Sequence, residues 1–500
     1  MVRALQCTTG SAIFVLSGRL PDHLPDQTTE AFLQAGSGAF LLREGGKNGP
    51  VYKISAVRPA DLSRPCERYF SELLICQERL ERIFPGIREN STVTINPGRE
   101  TNTMPAIEIL PNLFWVGAVD WNARQFHGPS YSIHRGTTYN SYLIRDEKLT
   151  LVDGVHAPFT DELVANIREI ADPAAIDHVV VNHIENDHSG ALPALMGLAP
   201  RAGVYCTQMA RDGLQRMYPG QWDFHIVKTG DTLNIGRCTL TFLEAPMLHW
   251  PDTMFTYVAE HALLLPNDAF GQHLASAARF DDEVDQSVLM DEAAKYYGNI
   301  LLPFSGLVLR KLAEVAAMNI PVRMIAPSHG VIWRADPGKI LTAYRNWAES
   351  SGGAAVGIVY DTMYNSTEKM AYAVLNGVMA SGAAVRFFGR LSQHDHSDLI
   401  RDLLSVKALI VGSPTLHRDY LPTMATLLDE IRNLKPRNKI GAAFGSYGWS
   451  GEGVRNLETR LREAGIDLVE QGIRVKYQAT EQELAQCFAL GRKIGEMVNK

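Results

Sequence analysis

The sequence predicts an α/β protein in which a layered αββα sandwich is followed by a doubly wound parallel sheet. Three observations support this fold class. At 500 residues the chain is too long for one ordinary core. Short strand runs mixed with helical stretches begin near Met104. A regular alternation of strands and helices follows the Ser/Gly-rich stretch at residues 350–356. We therefore predict three segments, 1–103, 104–352 and 353–500.

The first segment carries the least information. Its clearest element is "PCERYFSELLICQERLERIF", in which apolar residues recur at helical spacing behind Pro65. Gly/Pro-rich and polar stretches such as "REGGKNGP" surround it and predict loops or poor order. We find no chemistry in this segment.

The middle segment contains short strands. The stretch "NSYLIRDEKLTLVD" predicts a hairpin that turns at Asp146 and Glu147. Further strand runs are "NLFWVGAVD", "HVVVNH", "AGVYCT", "CTLTFLEAP", "TMFTYVAEHALLLPND" and "VRMIAPSHG". Helical sequence is predicted around residues 160–171 and 290–320. Strands with helices between them indicate sheets covered by helical layers.

The last segment is the most regular. The runs "AAVGIVYD", "AAVRFFG", "KALIVGSPT" and "KIGAAFGSYG" predict buried strands, each followed by a helix. The first of these helices, "STEKMAYAVLNGVMASG", has one apolar face, formed by Met370, Val374, Leu375, Val378 and Met379. This βαβα alternation predicts a doubly wound parallel sheet.

Charge, hydropathy and cysteine usage exclude several classes of protein. A net charge of −7 and the absence of a basic stripe argue against nucleic-acid binding. The sequence contains no stretch of about 18 uncharged apolar residues, so we expect no membrane span. It also lacks a convincing small-residue cleavage site, so we expect no secretory signal. The six cysteines form no CxxC pair. This pattern predicts reduced thiols in a cytoplasm and no built-in rubredoxin or iron–sulfur module.

The stretch "VVVNHIENDHSG", residues 179–190, is a dense cluster of potential metal ligands. It places His183, Glu185, Asp187 and His188 directly behind a strand run. Residues two apart in an extended segment share a face, so the first three can converge. Other candidates also follow apolar runs and precede turns, where loop-borne ligands are expected. These candidates are His249, Asp268 and His329.

The pattern H-x-E-x-D-H with isolated later ligands resembles the metallo-β-lactamase fold. Glu185, together with "GTTYNSYLI", "HWPDTM", "NDAFGQ" and a flavodoxin-like tail, resembles the flavodiiron proteins, over about four-fifths of the chain from Met104. The resemblance implies a diiron centre with two terminal ligand sets and one bridging carboxylate. One iron is assigned His183, Glu185 and His249, the other Asp187, His188 and His329, and Asp268 bridges them.

The ligand chemistry agrees with this resemblance. Hydrolases of the fold carry a histidine where Glu185 stands, which gives a nitrogen-rich site suited to zinc. Here each metal would receive two imidazoles, one terminal carboxylate and a share of Asp268. This set of nitrogen and oxygen ligands with open positions suits Fe(II). We also expect His273, Tyr296 and Tyr297 to support the ligands or line the pocket, although a core or interface role is equally open for the two tyrosines.

Three loops of the last segment resemble the FMN-binding loops of flavodoxins. In "VYDTMYNSTEKMA" a hydroxyl-rich loop opens a helix, where backbone N–H groups and hydroxyls can hold a phosphate without a lysine. The loops "VGSPTLHRDYLP" and "FGSYGWSGEG" follow two further strands and meet the first at the switch crevice. The expected FMN contacts are Thr362, Met363, Tyr364, Asn365, Ser366, Thr367, Pro414, Thr415, Leu416, His417, Gly445, Ser446, Tyr447, Gly448 and Trp449.

One feature of these loops departs from the family pattern. His417 and Arg418 stand where relatives often carry small polar amides. A cation at this place is expected to bias the flavin potential or the docking of the electron donor.

The resemblance implies a cytoplasmic oxidoreductase that reduces O2 to water, NO to N2O, or both. A rubredoxin or similar carrier would deliver electrons to FMN, which passes them to the two irons. A head-to-tail homodimer, or a dimer of such dimers, is implied as well. Two alternatives stay open: a dinuclear zinc hydrolase with a regulatory flavodoxin domain, and a flavin electron carrier with an idle metal site.

The same resemblance leaves two interpretations of residues 1–103. They are either an added docking domain that recruits the electron donor or sequence upstream of a natural start at "MPAIEILPNLFWVG". We favour the second interpretation.

Overall fold

The computed structural model describes residues 2–8, 11–17, 30–35, 38–44, 51–57, 104–128, 130–350 and 353–500. Its chain divides into two compact units, Met1–Glu100 and Thr101–Lys500. The helix predicted at residues 65–84 lies outside the described residues. Within the described ranges, every helix is too short or too polar to cross a membrane.

In the first unit, the described residues form a five-stranded antiparallel sheet in the order β1-β2-β5-β4-β3. The sequence analysis did not predict these strands. They are β1 Val2–Thr8, β2 Ser11–Ser17, β3 Glu30–Ala35, β4 Gly38–Glu44 and β5 Val51–Val57.

The second unit begins with two sheets packed face to face. A seven-stranded sheet has the order β16-β15-β14-β13-β12-β7-β6, and a five-stranded sheet has the order β17-β18-β19-β20-β21. The hairpin predicted at Asp146 and Glu147 is confirmed, since β12 pairs with β13 in antiparallel fashion. The strands are β6 Ile107–Leu110, β7 Leu113–Trp115, β8 Ala118–Asp120, β9 Gln125–Phe126, β10 Tyr131–Ser132, β11 Thr137–Tyr139, β12 Tyr142–Arg145, β13 Leu149–Val152, β14 His178–Val180, β15 Gly203–Cys206, β16 Asp223–Ile226, β17 Thr232–Asn234, β18 Thr239–Glu244, β19 Met254–Val258, β20 Leu263–Leu265 and β21 Met324–Ile325.

Helices cover the outer faces of both sheets, which confirms the predicted αββα sandwich. Trp115 and Val180 of the larger sheet share a buried cluster with Phe242 and Leu265 of the smaller one, so the core lies between the sheets. The α-helices of this domain are α1 Thr160–Arg168, α2 Asn186–Ser189, α3 Leu192–Leu198, α4 Gln208–Met217, α5 Gln286–Tyr296, α6 Ser305–Ala317 and α7 Pro337–Glu349, and a π-helical turn, Tyr297–Leu301, extends α5.

The last domain is the predicted doubly wound parallel sheet. Its strands follow the order β23-β22-β24-β25, and both β26 and β27 pair with β25. Every pairing in this sheet is parallel, so the carboxyl ends of the strands meet at one edge. The elements are β22 Ala355–Tyr360, α8 Ser366–Ala380, β23 Ala384–Arg390, α9 His396–Leu403, β24 Val406–Gly412, α10 Pro422–Leu434, β25 Ile440–Tyr447, α11 Glu452–Glu463, β26 Asp467–Leu468, β27 Ile473–Lys476 and α12 Glu481–Val498.

One prediction about α8 needs correction. Met370, Val374 and Val378 are fully buried as expected, but Met379 is 59% exposed. The helix instead buries Gly377, where a Cβ would lie 2.0 Å from the carbonyl oxygen of Phe488 in α12. Because the backbones of α8 and α12 approach closely at Gly377, the buried face of α8 is narrow, and Met379 lies outside this face.

Candidate metal centre and flavin loops

The predicted metal ligands come together at one end of the two sheets. His183 follows β14, and α2 begins three residues later and carries Asp187 and His188. Asp268 and His329 follow β20 and β21, which are parallel neighbours. Their loops are joined by a hydrogen bond 2.8 Å long, which the Ser328 N–H donates to the Asn267 carbonyl. The parallel pairing therefore places these two ligands side by side.

The seven side chains form two adjacent groups, and the ligand atoms within each group lie within 4.8 Å of one another. Asp268 faces both groups. Its Oδ2 lies 3.0 Å from His249 Nε2, and its Oδ1 lies 2.9 Å from His188 Nε2. The first group is His183, Glu185, His249 and Asp268, and the second is Asp187, His188 and His329.

The ligand atoms are crowded, yet most of them make no hydrogen bond with the residues described. The buried atoms without a partner include both carboxylate oxygens of Asp187, Oδ2 of Asp268, and Nε2 of His188, His249 and His329. Buried polar atoms are rarely left unpaired in folded proteins. Here they lie 3.0–3.5 Å from one another in the contacts between Asp187, His249, Asp268 and His329, close enough for each group to share one metal ion. The residues therefore fit two metal ions.

Outer hydrogen bonds turn the imidazoles toward the site. His183 Nδ1 pairs with Asp252 Oδ2 at 3.0 Å, and His329 Nδ1 donates to the Thr138 carbonyl at 2.7 Å. Each bond fixes the ring and directs Nε2 inward. Burial would raise the pKa of Asp268, but the neighbouring His188 and His249 hold it well below its ordinary value. The Asp268 carboxylate is therefore ionised and able to bind cations.

Glu185 has a partner that the sequence analysis missed. Nε2 of His127 donates to Oε1 of Glu185 at 2.8 Å, while Oε2 faces His249 Nε2 at 3.2 Å. Burial would raise the pKa of Glu185, but the hydrogen bond from His127 and the close contacts with His183 and His249 outweigh burial and lower the pKa, so the carboxylate is ionised. One oxygen is thus held by His127 and the other is turned to the metal position. No spacing motif links His127 to the ligand cluster, so the sequence alone offered no signal for it.

Two of the three predicted supporting residues lie beside the ligands. His273 is fully buried with Nδ1 sharing a 2.9 Å hydrogen bond with Thr137, and its ring lies 5.0 Å from that of His329. The Tyr296 ring lies 6.0 Å from that of His329, and its buried hydroxyl has no partner among the described residues. Tyr297 lies elsewhere: its hydroxyl bonds Ser305 at 2.9 Å and its ring packs on Tyr344. It belongs to the hydrophobic core.

The first flavin loop has the features of a phosphate cradle. It runs from Asp361 to Asn365, which adopts a left-handed conformation with φ 64° just before α8. Thr362 Oγ1 and Ser366 Oγ are buried and have no hydrogen-bond partner in the described chain. Together with the free N–H groups at the start of α8, these hydroxyls fit a bound phosphate.

The other two predicted loops close on the first. Thr367 Oγ1 and Ser446 Oγ share a hydrogen bond of 3.0 Å, and the Thr415 N–H donates to the Ser446 carbonyl at 2.8 Å. At Gly445 a Cβ would lie 1.9 Å from the carbonyl oxygen of Ser413, so only glycine permits this approach. The three loops therefore form one crevice, as the doubly wound topology predicts.

Some of the remaining predicted residues, among them Tyr364 and Trp449, form an exposed rim around this crevice, whereas Pro414 is buried. Tyr364 is 84% exposed and Trp449 62%, and Tyr477, which the sequence analysis did not single out, is 64% exposed beside Gly448. His417 and Arg418 both have positive φ, 49° and 65°. They occupy the tip of a tight turn closed by hydrogen bonds between Leu416 and Asp419. The side chains of this turn are exposed next to the flavin loops.

Comparison with known proteins agrees with both sites. Residues 137–330 match the model of the ODP family beta lactamase, and residues 358–491 match that of flavodoxin. A nitric oxide reductase of Moorella thermoacetica is 53% identical over 78% of this chain and 98% of its own. The chain belongs to the flavodiiron proteins.

Solved structures of this family have the same architecture. The rubredoxin oxygen:oxidoreductase from the anaerobe Desulfovibrio gigas aligns with a TM-score of 0.77 at 36% identity, covering 79% of this chain and 98% of its own. The flavodiiron protein from Giardia intestinalis aligns with a TM-score of 0.76 at 35% identity, covering 79% of this chain and 97% of its own. This flavodiiron protein therefore is an oxidoreductase with FMN and a diiron centre as cofactors.

We predict that Asp268→Ala removes most of the iron and leaves FMN bound, because Asp268 serves both metal positions and lies outside the flavin crevice. Iron is measured by elemental analysis and FMN by absorbance after release. Asp212→Ala, at an exposed ion pair with Arg211, is the matched control and retains both. Full iron in Asp268→Ala would contradict the bridging position.

We predict that His127→Phe weakens iron binding at the Glu185 position by about tenfold or more, since loss of an outer partner of a ligand has effects of that size. His127→Gln keeps a donor for Glu185 and serves as the matched control. Competition of Fe(II) between the protein and a chelator measures the affinity. Equal affinities in the wild type and the Phe variant would show that the His127 contact does not hold the ligand.

We predict that Ser366→Ala weakens FMN binding by roughly tenfold, because a hydrogen bond to a charged group contributes about 1.5–3 kcal/mol. Titration of the flavin-free protein with FMN, followed by the quenching of flavin fluorescence, gives the affinity. Thr459→Ala on the exposed side of α11 removes a hydroxyl far from the crevice and is the control. An unchanged affinity in Ser366→Ala would place the phosphate elsewhere.

Proposed function

We propose that this protein reduces NO to N2O, O2 to water, or both, with electrons that enter through FMN from a rubredoxin-type carrier. The observation that carries the proposal is the set of buried, unpaired ligand atoms that converge on two centres. We assign one iron to His183, Glu185 and His249. The other iron is assigned to Asp187, His188 and His329. Asp268 bridges the two irons.

The names of similar proteins support both gases as substrates. The Moorella thermoacetica relative is a nitric oxide reductase, and the Desulfovibrio gigas protein is a rubredoxin oxygen:oxidoreductase. Two NO molecules, two electrons and two protons give N2O and water, and O2 needs four electrons and four protons to give two waters. An enzyme for either reaction must therefore store electrons and admit protons.

The residues of the pocket fit these needs. The diiron centre, when bound, supplies electrons and open coordination positions for the gas. The terminal carboxylates of Glu185 and Asp187 add negative charge that favours the oxidised metals. Complete burial holds the pKa of His273 well below its ordinary value, so its imidazole stays neutral. The unpaired hydroxyl of Tyr296 is free to donate a hydrogen bond to a ligand in the pocket.

We propose a head-to-tail homodimer as the working unit. The exposed aromatic rim of Tyr364, Trp449 and Tyr477 surrounds the flavin crevice, and Trp121, at 41% exposure, lies on the sandwich domain close to the hairpin that carries His127. Exposed aromatic side chains are enriched at protein interfaces. Contact between the rim of one subunit and the sandwich domain of another would cover both.

A cytoplasmic location is also proposed. Cys206, Cys238 and Cys487 are buried free thiols. Burial raises the pKa of the Cys206 and Cys487 thiols to about 12, which keeps them protonated and unreactive. Buried thiols of this kind are typical of proteins in reducing compartments.

Anaerobic turnover tests the proposed function. The protein, with iron and FMN quantified, is supplied with a reduced rubredoxin and either NO or O2, and N2O formation and O2 consumption are measured. We expect turnover with at least one gas, and none with iron-depleted protein that retains FMN. Hydrolysis of a thioester or phosphoester by the zinc-loaded protein, without turnover of either gas by the iron form, would favour the hydrolase alternative.

A further inference from the structure

A polar cluster centred on the buried Lys295 joins the sandwich domain to the flavodoxin domain of the same chain. It lies apart from both the metal ligands and the flavin loops, and neither site explains it. We name it the interdomain cluster. Its members are Ser132, His134, Lys295 and Asn299 of the sandwich domain and Ser397 and Asp398 of α9.

Lys295 and Asp398 form the centre of this cluster. The Lys295 ammonium is only 1% exposed and lies 2.8 Å from Asp398 Oδ1. The other oxygen of Asp398 lies 3.0 Å from His134 Nε2. Burial would raise the pKa of Asp398, but the hydrogen bond and charge of Lys295 outweigh it and lower the pKa. Each oxygen of the carboxylate is thus occupied by a different element of the sandwich domain.

Neutral contacts reinforce the ion pair. Ser132 Oγ and Ser397 Oγ lie 3.1 Å apart, and Asn299 Nδ2 donates to the Ser397 carbonyl at 3.0 Å. At Gly298, in the π-helical turn, a Cβ would lie 3.2 Å from the carbonyl oxygen of Ile400. The glycine therefore lets α9 approach this turn closely. π-Helical turns of this kind are frequent at functional sites.

The geometry favours a single orientation of the two domains. A lysine as deeply buried as Lys295 has no water to solvate it, so any rotation of α9 away from Asp398 leaves an uncompensated charge. A purely apolar contact would let the two domains slide against each other. The Lys295–Asp398 ion pair, with hydrogen bonds on both sides of it, does not allow this movement. The residue after Lys295 is Tyr296, whose ring packs on His273 beside the metal ligands. Helix α5 thus contributes one residue to the contact between the domains and the next residue to the pocket beside the candidate metal ligands.

We propose that the interdomain cluster fixes the orientation of the flavodoxin domain, so that FMN is held at a working distance from the diiron site that receives its electrons. Lys295 and Asp398 are positioning residues for this electron transfer. The inference rests on the proposed electron route through FMN. It also holds if the receiving diiron site belongs to a second subunit, because each flavodoxin domain would still be set by its own sandwich domain.

The test compares two rates in Asp398→Asn holoenzyme with iron and FMN quantified. Stopped-flow spectroscopy measures the reduction of FMN by dithionite and then the oxidation of reduced FMN by NO or O2. We expect the oxidation to slow by about tenfold or more, because small displacements of reacting groups have effects of that size. The reduction rate and both cofactor contents stay unchanged. Asp398→Glu keeps the charge and is expected to restore much of the rate.

A second readout does not depend on activity. Hydrogen exchange of the backbone amides of Tyr297–Leu301 and His396–Leu403 is expected to speed up in Asp398→Asn. The matched control is His396→Asn, which breaks the contact of His396 with Glu430 inside the flavodoxin domain. This control should leave exchange in Tyr297–Leu301 and the oxidation rate at their wild-type values.

Distinct results overturn the inference and the proposed function. Asp398→Asn that melts earlier but oxidises its flavin at the wild-type rate would leave the cluster with a merely structural role and overturn the inference. Should this variant fail to fold or to load its cofactors, Ser132→Ala, which removes the hydroxyl that contacts Ser397 and accepts from Lys295, takes its place. A wild-type oxidation rate in that variant would again overturn the inference. Failure of the proposed function would instead appear in the wild type, whose reduced flavin neither gas would oxidise.

Discussion

The structure depends on the burial of three carboxylates and four imidazoles around two points in space. Taking ionised carboxylates out of water is costly unless they are paired or bind metal ions. Asp268 is 1% exposed and its Oδ2 has no hydrogen bond with any described residue, although two imidazole nitrogens lie within 4 Å of it. Two cations account for this arrangement, because they compensate the charge and give every unpaired ligand atom a partner. The folded pocket and the bound metals are therefore mutually dependent.

Around this centre, strand pairing and a few hydrogen bonds to other side chains hold the candidate ligands in place. The parallel pair β20 and β21 places the loops of Asp268 and His329 side by side, and α2, which begins shortly after β14, carries two more candidate ligands. The contacts of Asp252 with His183 and of His127 with Glu185 decide which ligand atom faces the metals. The first flavin loop of the flavodoxin domain has no lysine for a phosphate. Backbone N–H groups and buried hydroxyls would hold the phosphate there instead.

Local patterns in the sequence predicted much of this, and long-range contacts explain what they missed. The candidate ligands were recognisable in the sequence because they follow apolar strand runs, and because four of them stand within the six residues from His183 to His188. His127 was not, since it follows a two-residue strand and only the tertiary fold brings it to Glu185. A buried Lys295 also has no local signal, because its partner lies in another domain. Tyr296 and Tyr297 are adjacent and alike in sequence, but the turn of the helix sends one to the pocket and the other to the core.

The central claim is that these seven side chains cage a pair of irons. X-ray diffraction from crystals of the protein prepared anaerobically, with data collected on both sides of the iron and zinc absorption edges, tests it most directly. The account predicts two iron peaks, one on each side of the Asp268 carboxylate, and a fully occupied flavin crevice. Two zinc peaks in those positions, or a single metal with Asp268 turned away from it, would contradict the account.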